Sequence, residues 1–238
     1  MMIMRALVIP YAFLISSAVY ILITLALGRF TLPREQFRLM NYAGLANAIC
    51  GVFSYFLEDN YWMPHRWGGF RLGIEDFLIA YAVGMIPWYL VAFFWKKKLR
   101  VNFQWPGVIK RFLLVGSISF TYLLGVWMGV NPMTALLVIC GAVVVALLCM
   151  RPGNWPLALT GMIAFSIIWF FVVALTFWAL PDFIFQWNLA GQWGRPLFGV
   201  PVGEIVWAVV FGAALPLLTG IVFNVRIDSK KCHDNKNN

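Results

Sequence analysis

The chain reads as an all-α, polytopic membrane protein, a bundle of seven transmembrane helices arranged as a 3+1+3 tandem parallel repeat. Three observations predict this. Of 238 residues, 62% are hydrophobic and only 11% charged, and the mean hydropathy of +0.82 lies far from that of a soluble domain. Apolar stretches near twenty residues, the length that crosses a bilayer, recur at 6–28, 39–57, 75–95, 109–130, 133–150, 156–180 and 204–224. A short acidic stretch also occurs twice, each time where an apolar run begins: Leu72 to Leu78 and Val200 to Val206.

An offset of 128 superposes the two copies. It matches Asp76 with Glu204, Asn60 with Asn188, Phe70 with Phe198, Ala80 with Ala208, Gly84 with Gly212 and Leu90 with Leu218. The expected organisation is therefore a first three-helix repeat over residues 1–107, a linking helix over 108–131, a second repeat over 132–226 and a disordered tail over 227–238. Two odd-numbered repeats joined by one helix run in the same direction across the membrane, related by an axis along its normal. Both acidic stretches then share one end of the bundle.

Charge orients that bundle. With seven spans, one side carries Arg5, Arg66, Arg71 and Arg195, and the other carries the remaining fourteen of the eighteen Lys and Arg. The richer side is the cytoplasmic one, so the N-terminus is expected outside, the C-terminus in the cytoplasm, and the protein in a bacterial inner membrane. The net charge of +9 follows from this bias and from attraction to anionic lipid; nucleic acid is not needed to explain it.

Span one, 6–28, follows Arg5 as a signal peptide would. Its length and the basic residues after it (Arg29, Arg34, Arg38) favour a retained helix. Span two holds Asn41, Asn47 and Ser54, groups that bond across membrane helices. The following loop crowds Glu58, Asp59, Asn60, Tyr61, Trp62, His65, Arg66 and Trp67 into a few positions, either as an interfacial aromatic belt or as a lid. Span three opens with Glu75 and Asp76, where the helix dipole favours acids. Asp76, Ala80 and Gly84 recur at four-residue steps, as do Glu204, Ala208 and Gly212, placing each acid on a small-residue packing seam. Acids facing a membrane interior are costly and are usually kept for function.

Spans four and five carry few polar groups, among them Ser117, Ser119, Thr121 and Tyr122. Span six is rich in aromatics, including Phe165, Trp169, Phe170, Phe171, Phe177 and Trp178, suited to packing, to lipid contact or to a hydrophobic tunnel. The loop after it repeats the acid, aromatic and Asn theme with Asp182, Trp187 and Asn188. Pro201 opens span seven, where a missing N–H is harmless. The four cysteines (Cys50, Cys140, Cys149, Cys232) and two histidines (His65, His233) form no metal or disulfide spacing. No glycine-rich dinucleotide fingerprint is present. Neither cofactor nor metal is expected, and the expected partners are the lipid bilayer, a hydrophobic substrate and, as a homo-oligomer, a second copy of the chain.

The two acidic stretches resemble the lycopene cyclase domain of the heterodimeric bacterial and fused fungal type, related to small membrane terpene cyclases. There each half carries Pro-x-Glu-Glu at the start of an apolar helix. Gly73-Ile74-Glu75-Asp76 matches with Gly for Pro and Asp for the second Glu; Pro201-Val202-Gly203-Glu204 matches with Gly for the first Glu. The resemblance covers roughly 54–98 and 180–226. It implies an isoprenoid or carotenoid cyclase, working without redox change, in which an acid protonates a C=C and a neighbouring double bond attacks the cation.

Such an acid must be protonated, a state that apolar walls and a neighbouring carboxylate favour, and aromatic faces stabilise the cation without capturing it. On this reading Glu204 or Asp76 donates the proton, with Glu75 as modulator or closing base. Glu58, Asp59, Asn60, Asp182 and Asn188 orient the acids or cap the site, and Trp62, Trp67, Trp187 and Trp207 face the cation. Two other readings stay open: a small membrane transporter or proton-coupled carrier, whose duplicated helices also carry acids, and a non-catalytic membrane subunit.

Overall fold

The computed structural model describes residues 11–58, 60–102, 104–188 and 196–227. Expectations for Asp59, for Arg195 and for the tail beyond Ile227 lie outside these residues. Helix α1 (Ala12–Thr31) ends at an extended Leu32 that precedes Pro33, as the steric demand of a proline ring requires. Helix α2 (Arg34–Ala48) then turns back, and α3 (Ile74–Trp95), α4 (Trp105–Trp127), α5 (Pro132–Met150), α6 (Trp155–Ala179) and α7 (Val202–Val222) follow. Among the described residues, six helices are long and apolar enough to cross a membrane: α1, α3, α4, α5, α6 together with the helical turn before it, and α7.

The segment expected as the second span departs from a plain helix. Helix α2 has 15 residues, roughly 22 Å at 1.5 Å per residue, short of a hydrocarbon core of about 30 Å. The chain continues as a 3-10 stretch over Ile49–Phe53 and a final turn over Ser54–Leu57. Gly51 explains why it tightens there: a Cβ on Gly51 would lie 2.8 Å from the Asp76 carbonyl oxygen and 2.9 Å from Phe77 Cα. The 3-10 turn is pressed onto the first turn of α3.

Two glycine contacts set the tightest helix pairs. Gly84 of α3 meets the backbone of α2, where an added Cβ would stand 2.7 Å from Ala43 O. Gly212 of α7 meets α6 at Gly161, and a Cβ on Gly212 would stand 2.6 Å from Gly161 O. Small residues are what allow membrane backbones to approach so closely. Helices α3 and α7 occupy the centre, with about half of each span buried (50% and 56%), whereas α4 lies at the edge with 11%. Their interior prolines, Pro87 and Pro216, are both buried.

One feature was not expected of an all-α chain. Leu99–Val101 (β1) and Val225–Ile227 (β2) form a two-stranded antiparallel sheet, with Leu99 opposite Ile227, Arg100 opposite Arg226 and Val101 opposite Val225. Each strand turns its first residue inward and its Arg outward, the alternation of a half-buried strand. The polar tail thus begins only after an ordered strand that follows α7. At the other end of α3 and α7, the loops before them are stitched together by Met63 N–H to Gln186 O (2.6 Å) and Asn188 N–H to Tyr61 O (2.9 Å).

Leucine at Gly212 should force α6 and α7 apart and cost about 1–3 kcal/mol, the usual range for overpacking. Leucine at Gly141 of α5, which has no atom within 4 Å of its Cβ position, should change little. Thermal denaturation of both variants in detergent checks the contrast.

Candidate functional site: an apolar chamber with one uncompensated acid

The first turns of α3 and α7 carry Asp76 and Glu204 at the same helical position, three residues after the caps Gly73 and Pro201. Both acids are buried, Asp76 at 0% and Glu204 at 4% exposure. Both line one chamber of about 250 Å³. Its walls come from all seven helices and are overwhelmingly apolar, with Phe13, Val83, Ile139, Val173 and Leu218 among them. Trp62, Phe183 and Trp187, from the stitched loops, form part of its lining.

The surroundings of the two acids differ in kind. Asp76 receives the Gly73 N–H at Oδ2 (2.8 Å) and a side-on pair from Arg66, Nε to Oδ2 at 2.6 Å and Nη2 to Oδ1 at 3.2 Å. The two side chains of this ion pair are 0% and 1% exposed. Arg66 also reaches Glu58 (3.3 Å), which in turn meets Arg71 (3.3 Å). Asp76 is thus half of a bidentate buried ion pair, the strongest geometry for a carboxylate.

Glu204 has no cation among the described residues. Its Oε1 accepts from Trp187 Nε1 at 2.8 Å and from the Tyr61 hydroxyl, and its Oε2 accepts from Trp169 Nε1 at 2.9 Å. Pro201 accounts for part of the contrast. Gly73 offers its own N–H to the acid three residues on, but proline has none, so nothing at its own cap draws Glu204 back. The longer Glu side chain reaches sideways to α6 and the two loops instead. Burial pushes the Tyr61 hydroxyl well above the ordinary phenol range, and the neighbouring Glu204 raises it further. Tyr61 therefore stays a neutral phenol that can donate.

The three donors are not equivalent. An indole N–H can only donate, whereas a phenol can donate or accept. With Glu204 ionised, all three donate to it. With Glu204 protonated, the contact to Tyr61 can reverse while the indoles keep their bonds. Tyr61 is the one of the three that can either donate to the carboxyl group or accept from it.

Of the other residues expected to take part, Trp62, Trp187 and Trp207 line the chamber. Trp62 lies 4.6 Å, centroid to centroid, from Phe13 and 5.5 Å from Trp187, and Trp207 lies 5.1 Å from Trp169. Glu75 is buried but not on the chamber wall: its Oε1 takes the Trp67 N–H at 2.6 Å, and its Oε2 has no partner. A Cβ on Gly73 would meet that same Oε2, the movable end of the Glu75 side chain. Glu58 serves Arg66 and Arg71, as described. Asn60 and Asp182 are exposed, Trp67 is 64% exposed, and Asn188 contributes its backbone N–H to Tyr61. These four stand away from the chamber.

Three participants were named in the sequence only as members of a loop or an aromatic stripe, with no role at the acids: Tyr61, Trp169 and Arg66. A signal existed for Trp169. A buried indole N–H needs an acceptor, and acids are scarce in this chain, nine in all. Among the described residues, no group of three or more His, Cys, Asp or Glu could hold a metal ion.

Replacing Asp76 with Asn takes the bidentate carboxylate from buried Arg66 and leaves it only the longer contact to Glu58, which should cost about 3 kcal/mol. Replacing the half-exposed Arg71 with Gln should cost under about 1 kcal/mol. Chemical or thermal unfolding in detergent distinguishes the two.

Comparison of the chain with protein-family models, with curated proteins and with solved structures returns no match.

Proposed function

We propose that the chain is an integral-membrane isoprenoid cyclase of the lycopene cyclase type, with Glu204 as the proton donor. The observation that carries this reading is Glu204 itself, a buried carboxyl group held by three neutral donors at the wall of an apolar chamber. Protonated Glu204 delivers its proton to a substrate C=C; a C–H bond forms and a carbocation remains. A second double bond of the substrate attacks that cation to close the ring, and loss of a proton from carbon gives a new C=C. The proton returns to Glu204, so the reaction is an isomerisation without net redox change.

The three donors suit this chemistry because they are in place for the charge that develops. As the proton leaves, Trp169, Trp187 and Tyr61 stabilise the carboxylate without reorganisation. The rings of Trp62, Trp169, Trp187 and Trp207 offer π-faces to the cation, and the apolar wall keeps out water that would quench it. Asp76, already paired with Arg66, positions the loop that carries Tyr61 and is not the donor. The volume of about 250 Å³ lies just below the roughly 300–1,000 Å³ of typical small-ligand sites. It suits a short isoprenoid or one end of a long polyene.

The same reading extends to architecture. Arg34–Leu57 makes a seventh crossing, and two three-helix halves joined by α4 are related by an axis along the membrane normal. Matched acids at the third helical position, matched Gly84 and Gly212, and the pairing of Leu99 with Ile227, again 128 positions apart, support it. A two-fold axis between Leu99 and Ile227 would make strands that run across it antiparallel. The acids then lie at the outer end, with the N-terminus outside and the C-terminus in the cytoplasm of a bacterial inner membrane.

The test is expression in a lycopene-producing host, and in one fed short prenyl compounds, with extracts compared by mass and retention. The parent should give an isomer of unchanged mass and shifted retention. Glu204→Gln should abolish it, and Trp169→Phe should slow it about 100-fold, as loss of one preorganised donor does. Product formation by Glu204→Gln at the parental rate would overturn the assignment and favour a carrier or scaffold.

A further inference from the structure

The chamber has a second polar point that the proposed reaction does not use. Tyr122 of α4 is 2% exposed and lines the chamber. Its ring is fixed edge-on by Phe53 at 4.9 Å and by Phe56 at 6.4 Å, yet its hydroxyl has no hydrogen-bond partner. Three other polar side chains of the wall have partners. Tyr20 bonds Thr176, Asn47 donates to the Ala80 carbonyl, and Tyr61 holds Glu204. Of the buried side-chain atoms left without a partner among the described residues, the Tyr122 oxygen is the one on this wall.

Phenylalanine would fill the same space and keep both ring contacts. A hydroxyl buried without a partner is costly, and each such group calls for an explanation. A purely hydrocarbon ligand supplies none. We infer that the molecule bound here is not a pure hydrocarbon but carries one hydroxyl or carbonyl oxygen, which Tyr122 meets while an unsaturated part of the same molecule lies against Glu204. This rests on the cyclase reading for the role of Glu204, and deepens it by fixing the substrate class. A phenol both donates and accepts, so alcohols and carbonyl compounds alike satisfy Tyr122. The two polar points would hold the chain in one direction along the chamber, which selects the double bond that Glu204 reaches.

Binding is read without turnover, from quenching of the tryptophans at the wall (Trp62, Trp169, Trp187 and Trp207). The full chain in detergent is titrated with geranylgeraniol and with the hydrocarbon of the same chain lacking the hydroxyl. The alcohol should bind about tenfold more tightly, the size of one hydrogen bond made to an otherwise unpaired group. Tyr122→Phe should erase that preference and leave the hydrocarbon affinity unchanged. Equal affinities in the parent, a comparison that needs no variant, would overturn the inference and leave the cyclase reading standing. A preference that survives Tyr122→Phe would also overturn it. Binding of neither probe would sink both. An alcohol preference lost in Tyr122→Phe, alongside a Glu204→Gln variant that still makes product, would uphold the Tyr122 contact and remove the cyclase reading.

Discussion

The structure turns on one carboxyl group that meets no cation among the described residues. Glu204 gathers Trp169 from α6, Trp187 from the loop after it and Tyr61 from the loop before α3. Those three elements are distant in sequence, and the acid is where they converge. Removing it would take from two indole N–H groups and a phenol the acceptor they share, a high penalty at low local dielectric. The aromatic clusters around the chamber are therefore arranged by a polar contact as much as by packing. Phe177 and Phe183 each lie 5.2 Å from Trp187, the ring whose N–H is committed to Glu204.

The two helix starts show how a matched pair of positions diverges by small local differences. Glycine before α3 lends its N–H to Asp76 and leaves room for Glu75, and Arg66 completes a buried ion pair. Proline before α7 withholds the N–H, and neutral donors take the place of the guanidinium. A buried ion pair that is broken is strongly destabilising, so Asp76 reads as a structural anchor. Glu204 is held instead by two indoles and a phenol, none of them charged. The two acids sit at the same helical position, and the residues at their caps set what each can bond.

Much of this was legible in the chain, for definite reasons. Helix length and apolarity are written residue by residue, so six of the seven expected spans correspond to helices long and apolar enough to cross a membrane. The matched acids and their Ala and Gly steps pointed to central, tightly packed helices, and Gly84 and Gly212 lie at such contacts. Segment 39–57 was harder, because its tightening into a 3-10 turn comes from Gly51 meeting the backbone of α3, a tertiary fact. The β1–β2 pair was invisible for the same reason: three-residue strands carry no periodicity. Within the site, Trp62, Trp187 and Trp207 reached the chamber as expected, whereas Trp67, Asn60 and Asp182 share a loop with lining residues but face outward. Loop neighbours in sequence say little about which side chain turns inward. Tyr61 and Arg66 needed the fold to be found.

The two stitches at opposite ends of α3 and α7 have a mechanical consequence. At one end, the backbone bonds of residues 61–63 with 186–188 tie the preceding loops; at the other, β1 and β2 tie the segments that follow. A rocking motion of one half against the other, as alternating-access machines perform, would have to rupture main-chain hydrogen bonds at both ends together. The central pair is clamped like a book bound along two edges. Helix α4, with 11% of its span buried, lies outside this clamp.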